Sequence, residues 1–210
     1  MIIASVFIVM ERCGAEVLSK EDINQNPIIN YSKFNLDETK QTADAFFEKA
    51  LETQDESEKS EFLKNAVASY YILSNIDKSN SYPCIQLARI YDLQNNDLYA
   101  KAYFSRVLGL NSKDADGNFY FAEYYYRRNQ YEKALEFYQK ALLYGKEADS
   151  QTLKNIASIY ERFGDIPRAN FYYRTSLEKN PEDKTLKDKI DENIVNEYKD
   201  AGYFKRRLRN

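Results

Sequence analysis

One interval runs through the middle of the chain. Ala88, Ala122 and Ala157 stand 34 and 35 residues apart, and so do Tyr91, Tyr125 and Tyr160. The same steps separate Ala100, Ala134 and Ala169; Phe104, Tyr138 and Tyr173; and Leu108, Leu142 and Leu177. Five position classes on one period define a repeat array, whose units cannot each bury their apolar faces alone. The extra residue falls between Leu142 and Leu153, in the loop around Gly145. Inside the period, Phe121, Ala122 and Tyr125 share one helical face. After the polar turn Arg128-Asn129-Gln130, residues Tyr131, Ala134, Leu135, Tyr138, Ala141 and Leu142 recur at three- and four-residue steps. Each run is an amphipathic helix, so the unit is helix–turn–helix. Alanine at the crossing points lets helix axes approach to about 8–10 Å. Asn95, Asn129 and Gly164 fall in the turns and are residue types that tolerate a left-handed backbone. Pro167 sits in the first turn of its helix, where its missing N–H costs nothing.

Composition narrows the chemistry. The 210 residues include nineteen Tyr and twelve Phe but no Trp and no His. Without histidine there is no His-based acid–base catalysis, no serine triad and almost none of the common zinc sites. Six Gly and four Pro are too few for an all-β chain or for low-complexity disorder. A net charge of −3 makes no whole-chain case for nucleic acid. Cys13 and Cys84 lie in different kinds of segment, and a disulfide between them is not the expected reading. Ser176-Leu177-Glu178-Lys179 matches the S-x-x-K pattern formally, but Ser176 occupies a small buried helix position and no partner motif follows. No glycine-rich phosphate loop and no calcium-type carboxylate spacing is present. Glu123 and Glu161, lone acids on first helices, are expected to be solvated. The reading is therefore of no catalytic residues, no metal site, no cofactor and no enzymatic activity.

The register resembles the tetratricopeptide-repeat (TPR) family. Three repeats fit, at 81–114, 115–148 and 150–183. Each carries a large–small pair (Leu87-Ala88, Phe121-Ala122, Ile156-Ala157), a Tyr three residues on, then the Ala and aromatic of the second helix. The third also keeps Gly164 in the turn and Pro181 at the end. Cys84, Asn118 and Leu153 stand at the usual Trp position, and Ser176 replaces a small Ala. The resemblance implies an all-α solenoid of stacked helix–turn–helix repeats, closed by a C-terminal capping helix. It also implies a concave groove, lined by the first helices, that binds an extended peptide or a partner helix. Carried over position by position, the groove residues are Tyr82, Ile85, Arg89 and Asp92 in the first repeat. The second contributes Phe119, Tyr120, Glu123, Tyr126 and Arg127, and the third Gln151, Lys154, Ser158, Glu161 and Arg162. Phe119, Tyr120 and Tyr126 are expected to be exposed aromatics, a type enriched with Arg at interface hot spots. Lys154 alone does not make a carboxylate clamp. The implied protein is a non-catalytic scaffold, in envelope or secretion assembly, whose partner is another protein.

The flanks complete the plan. Residues 1–15 hold an apolar run, Met1 to Met10, too short to span a bilayer but matching the centre of a secretory signal, with small residues for cleavage after Ala15. Export to a bacterial periplasm is the expectation, with a cytosolic protein and a buried N-terminal helix as the alternative. Residues 16–37 read as a polar linker, and 38–77 as a degenerate TPR-like helix pair around a charged turn at Asp55–Glu58. Nine acids against three lysines lie between Leu36 and Glu61. Residues 184–200 form the capping helix, with Leu186, Ile190, Ile194 and Tyr198 on one face. The basic tail, 201–210, is the alternative functional element: contact with an anionic surface or nucleic acid. Membrane contact would come only through this tail or the N-terminus.

Overall fold

The computed structural model describes residues 35–207, and side chains through 196. The apolar N-terminus, the linker up to residue 34, Cys13, and the side chains of Tyr198 and the basic tail lie outside what the structure describes. Among those described there are nine α-helices and no strand. They are α1 (Leu36–Glu52), α2 (Glu56–Ile76), α3 (Tyr82–Leu93), α4 (Asp97–Leu110), α5 (Ala115–Arg127), α6 (Tyr131–Leu143), α7 (Ser150–Arg162), α8 (Ile166–Lys179) and α9 (Lys184–Arg207). The chain divides into two compact units between Gly117 and Asn118. No described helix is long and apolar enough to cross a membrane.

In the first unit, α1 and α2 pack as an antiparallel pair longer than the repeats that follow. The linker reading extends to residue 37, but α1 already begins at Leu36, because the Asn35 side chain accepts the N–H groups of Asp37 (3.1 Å) and Glu38 (3.3 Å). The charged turn expected at 55–58 is instead a cap and a first helical turn. Asp55 accepts from the N–H of Ser57 (2.7 Å) and Glu58 (3.0 Å), and Glu56 and Glu58 lie where a helix N-terminus favours negative charge. Phe46, Phe47, Tyr70, Ile72, Leu87 and Ile90 form the core of this unit. Phe47 meets Tyr70 edge-on at 6.5 Å, and Tyr70 meets Tyr82 at 6.2 Å.

The second unit holds the rest of α5 and α6 to α9. Ala122, Ala134, Ala157 and Ala169 are fully buried, the condition for close helix crossing. Ser176, at the small position of α8, is also fully buried and bonds to Ser150 of α7. Leu186 and Ile190 bury α9, with Ile194 half-buried. The helix continues to Arg207, so residues 201–207 extend it.

Three turns share one geometry. Asn95 (φ 55°), Asn129 (φ 57°) and Gly164 (φ 76°) take the left-handed conformation. The next N–H then reaches back to the carbonyl of Tyr91 (2.8 Å), Tyr125 (3.0 Å) or Tyr160 (2.9 Å), closing the first helix. Each of these tyrosines also stacks nearly parallel on a ring of the second helix: Tyr91 on Tyr103 (5.7 Å, 9°), Tyr125 on Phe137 (5.6 Å, 10°) and Tyr160 on Tyr172 (5.5 Å, 12°). The outer layer of the stack differs: Tyr99 in the first case, Lys133 in the second and Arg168 in the third.

Candidate partner-binding face

In the second unit, the face shared by α5 and α7 is a polar–aromatic network. Tyr126 hydrogen-bonds Ser158 through the two hydroxyls (3.0 Å) and packs edge-on against Tyr131 (5.8 Å) and Tyr138 (6.4 Å). Arg162 lies over the Tyr131 ring at 4.8 Å. Arg127, half exposed, is held beside Glu123 at 3.6 Å. Phe119 and Tyr120 pack on each other at 5.0 Å, with the Lys146 ammonium over both rings. Gln151 donates to Asn155 (2.9 Å), and Lys154 pairs with Asp183 (3.2 Å).

The two carboxylates of this face are not solvated, contrary to the expectation for lone acids. Glu123 of α5 accepts the hydroxyl of Tyr138 from α6 and, at 3.4 Å, the side-chain amide of Asn155 from α7. Glu161 of α7 accepts the hydroxyl of Tyr173 from α8 (3.1 Å) and pairs with Lys189 of α9 (2.9 Å). The first unit has the same device: Asp44 of α1 accepts Tyr70 of α2 and Tyr82 of α3, both at 2.6 Å, and pairs with Lys40 at 2.7 Å. Each hub ties a first helix to its own second helix and to the next first helix. Burial, then the adjacent carboxylate, pushes the Tyr138 and Tyr173 phenols well above the usual tyrosine range, so both stay protonated at neutral pH. Burial raises Asp44, but hydrogen bonds from Lys40, Tyr70 and Tyr82 outweigh it and hold the carboxyl below its ordinary value. Beside Glu161 and Lys189 a cleft of about 450 Å³ opens, lined also by Pro167, Glu192, Asn193 and Asn196.

Sequence-expected groove residues therefore fall into three groups. Phe119, Tyr120 and Tyr126 are half-buried rather than exposed, because their rings pack on neighbours. Glu123, Lys154, Ser158 and Glu161 are half-buried within the network, while Arg127, Gln151 and Arg162 are exposed. In the first unit Tyr82 and Arg89 are half-buried, Tyr82 on Asp44 and Arg89 over the Phe47 ring and bonded to Gln86. Ile85 (4% exposed) and Asp92 (5%) are enclosed, because α3 is buried along most of its length between α2 and α4. Tyr138, Asn155, Tyr173 and Lys189 join the network without having been singled out for it. The one sequence signal is the aromatic class Phe104, Tyr138, Tyr173, whose last two members carry a hydroxyl.

Among the described residues no three of His, Cys, Asp and Glu could hold a metal ion, and Cys84 is a buried free thiol. Neither a family model nor a curated protein sequence matches the chain. Solved structures do. YrrB, a TPR protein with an unusual peptide-binding site, aligns with a TM-score of 0.57 at 20% identity over 63% of this chain and 68% of that one. The chain folds as a tetratricopeptide-repeat protein. The pilF protein of Pseudomonas aeruginosa aligns at 0.58 and 17% identity, over 77% of this TPR chain and 72% of its own. TTC0263, a TPR protein of Thermus thermophilus, gives 0.50 and 14%, over 93% and 100%.

Proposed function

We propose that the protein is a non-catalytic interaction scaffold, and that the α5–α7 face of its second unit receives a peptide or helix segment of another protein. One observation carries this reading. Tyr126 is fixed by Ser158, Tyr131 and Tyr138 at half exposure, with the exposed Arg127 next to it in α5 and the exposed Arg162 over the Tyr131 ring on which it packs. An aromatic already immobilised in this way loses little rotamer freedom on binding, and Tyr and Arg are the anchor types of protein interfaces. The peptide-binding site of YrrB, a protein of the same fold, adds support. A pull-down with Tyr126→Ala combined with Arg127→Ala tests it. Loss of captured protein, with helicity unchanged, is expected; retention of every partner would sink the assignment.

Export to an envelope or secretion assembly is part of the same proposal, motivated by the apolar run at residues 1–10, and mass spectrometry of the mature N-terminus checks it. A second reading assigns anionic-surface or nucleic-acid binding to Lys205-Arg206-Arg207-Leu208-Arg209. Its mark is binding that weakens steeply with salt and disappears on deleting 205–210.

A further inference from the structure

Two junctions of the second unit can be compared position by position: α5–α6 with α7, and α7–α8 with α9. The caps fix the register. Asp149 holds the N–H of Thr152 at the start of α7, and Asp183 that of Leu186 at the start of α9. In the earlier junction four side chains fill the space near the turn. Tyr126 bonds Ser158 and packs on Tyr131, and the Arg162 guanidinium lies over the Tyr131 ring. One repeat on, the matches of Tyr126, Ser158, Tyr131 and Arg162 are Glu161, Glu192, Ile166 and Asn196. Two aromatics and an arginine have given way to shorter side chains, two of them carboxylates. The cleft of about 450 Å³ is lined by these four residues. That volume falls in the usual range of ligand clefts, about 300–1,000 Å³.

The cleft has acceptors to spare. Glu161 is committed, since its two oxygens take the Tyr173 hydroxyl and the Lys189 ammonium. Lys189 feels the charge of both Glu161 and Glu192, but its ion pair is with Glu161, at 2.9 Å. Glu192, exposed at the rim, makes no ion pair among the described residues. Asn193 is 5% exposed and gives its amide N–H to Asn170 of α8 at 3.0 Å. Its side-chain oxygen meets no donor among the described residues, and the residue lines the cleft. An amide enclosed in this way with its oxygen unmet is costly. Packing does not demand it, because Leu135 and Ile159 stand at the two matching positions one repeat earlier. Two carboxylates against one ammonium leave the cleft with one negative charge, while Arg162 stays on Tyr131.

We propose that this cleft receives an arginine side chain of the protein segment bound along the α5–α7 face. The inference rests on that reading of the face and deepens it by naming a residue type the partner must carry. The chemistry selects this occupant. A guanidinium offers several N–H donors in one plane, for the Asn193 oxygen and the Glu192 carboxylate, and its charge balances the cleft. Its aliphatic stem packs against Ile166 and Pro167. An acidic side chain would instead meet two carboxylates, and a neutral apolar one would leave the Asn193 oxygen unmet. The partner thus supplies, at the last junction, the group that Arg162 supplies from within at the earlier one. The cleft adjoins the face through α7, where Glu161 directly precedes Arg162.

The probe is arginine blocked at both ends (the acetylated amide), titrated into the isotope-labelled full chain and followed by NMR at the amides of residues 189–196. Saturable shifts with a dissociation constant on the order of 10 mM are expected. The blocked citrulline analogue keeps the shape without the charge and should bind at least about tenfold more weakly. Glu192→Gln removes a carboxylate that has no ion pair within the chain, so the variant should fold and lose the probe by a similar factor. Asn170→Leu with Asn193→Ile installs the residues of the earlier junction and should raise the melting temperature while weakening the probe. Tyr126→Ala with Arg127→Ala should bind the probe as the wild type does, so failure of the face and failure of the cleft are read separately. In pull-downs, Glu192→Gln should lower several-fold the capture of whatever protein the wild type holds. Absence of saturable shifts, equal binding of the two probes, or a Glu192→Gln chain that binds probe or partner as the wild type does would each overturn the proposal.

Discussion

Asp44 in the first unit and Glu123 and Glu161 in the second do the same job with different surroundings. All three accept a tyrosine hydroxyl from the second helix of their pair and a donor from the next first helix. Asp44 collects two tyrosines and a lysine, and its unit closes around an aromatic core that includes Tyr70. Glu123 and Glu161 collect one tyrosine each, with the rest of their capacity going to Asn155, Arg127 and Lys189, so their face keeps polar groups and exposed guanidinium at its surface. The α3–α4 pair, between them in the chain, differs from both. Asp92 stands at the Glu161 position, yet the matching residue of α4 is Phe104, which has no hydroxyl to offer. Hubs of one design can therefore either seal a core or organise a surface, depending on how many donors are tyrosines.

The largest effect should come from Asp44→Ala, which leaves the buried Tyr70 hydroxyl and that of Tyr82 without their acceptor. A loss of about 3 kcal/mol is expected, with faster hydrogen exchange in α1 to α3. The comparison with the second unit is sharpened by Tyr138→Phe. It removes one donor to Glu123 while keeping the ring, and about 1–2 kcal/mol in chemical denaturation is expected. Acid gives a further test of the Asp44 hub. The folded Asp44 carboxyl sits below its ordinary 3.8, so its contribution is fully present at neutral pH and fades as pH falls below that value. Stability curves of wild type and Asp44→Asn should accordingly converge in that range and separate above it. The smallest change is Lys133→Ala, which strips the exposed cation from the Tyr125 stack and should alter stability by less than about 0.5 kcal/mol.

The fold is readable because six alanines and a few aromatics repeat at one interval, and packing at helix crossings tolerates little else. Three further classes repeat just as faithfully, and two of them escape a reading by residue type. Tyr103, Phe137 and Tyr172 mix two residue types. Asp114, Asp149 and Asp183 cap the next helix through the N–H of Gly117, Thr152 and Leu186. Tyr99, Lys133 and Arg168 share only a place in a stack, which no single chemistry reveals. The hubs are harder still, since carboxylate and tyrosine lie 26, 15 and 12 residues apart in the three cases. Hydrogen bonds between helices obey geometry across the pair, and helix length changes the sequence interval. For the same reason Glu123 and Glu161 look solvated from their own helices alone. Ile85 and Asp92 look open by analogy with the second repeat, although α3 is enclosed by longer neighbours.

The central claim is that the α5–α7 face meets another protein, and site-specific photocross-linking in the native cell addresses it most directly. A photoreactive residue at position 126 or 162 should yield a discrete protein adduct, while one at Leu143, 76% exposed on α6, should yield none. Adducts at 143 with none at 126 or 162 would contradict the account.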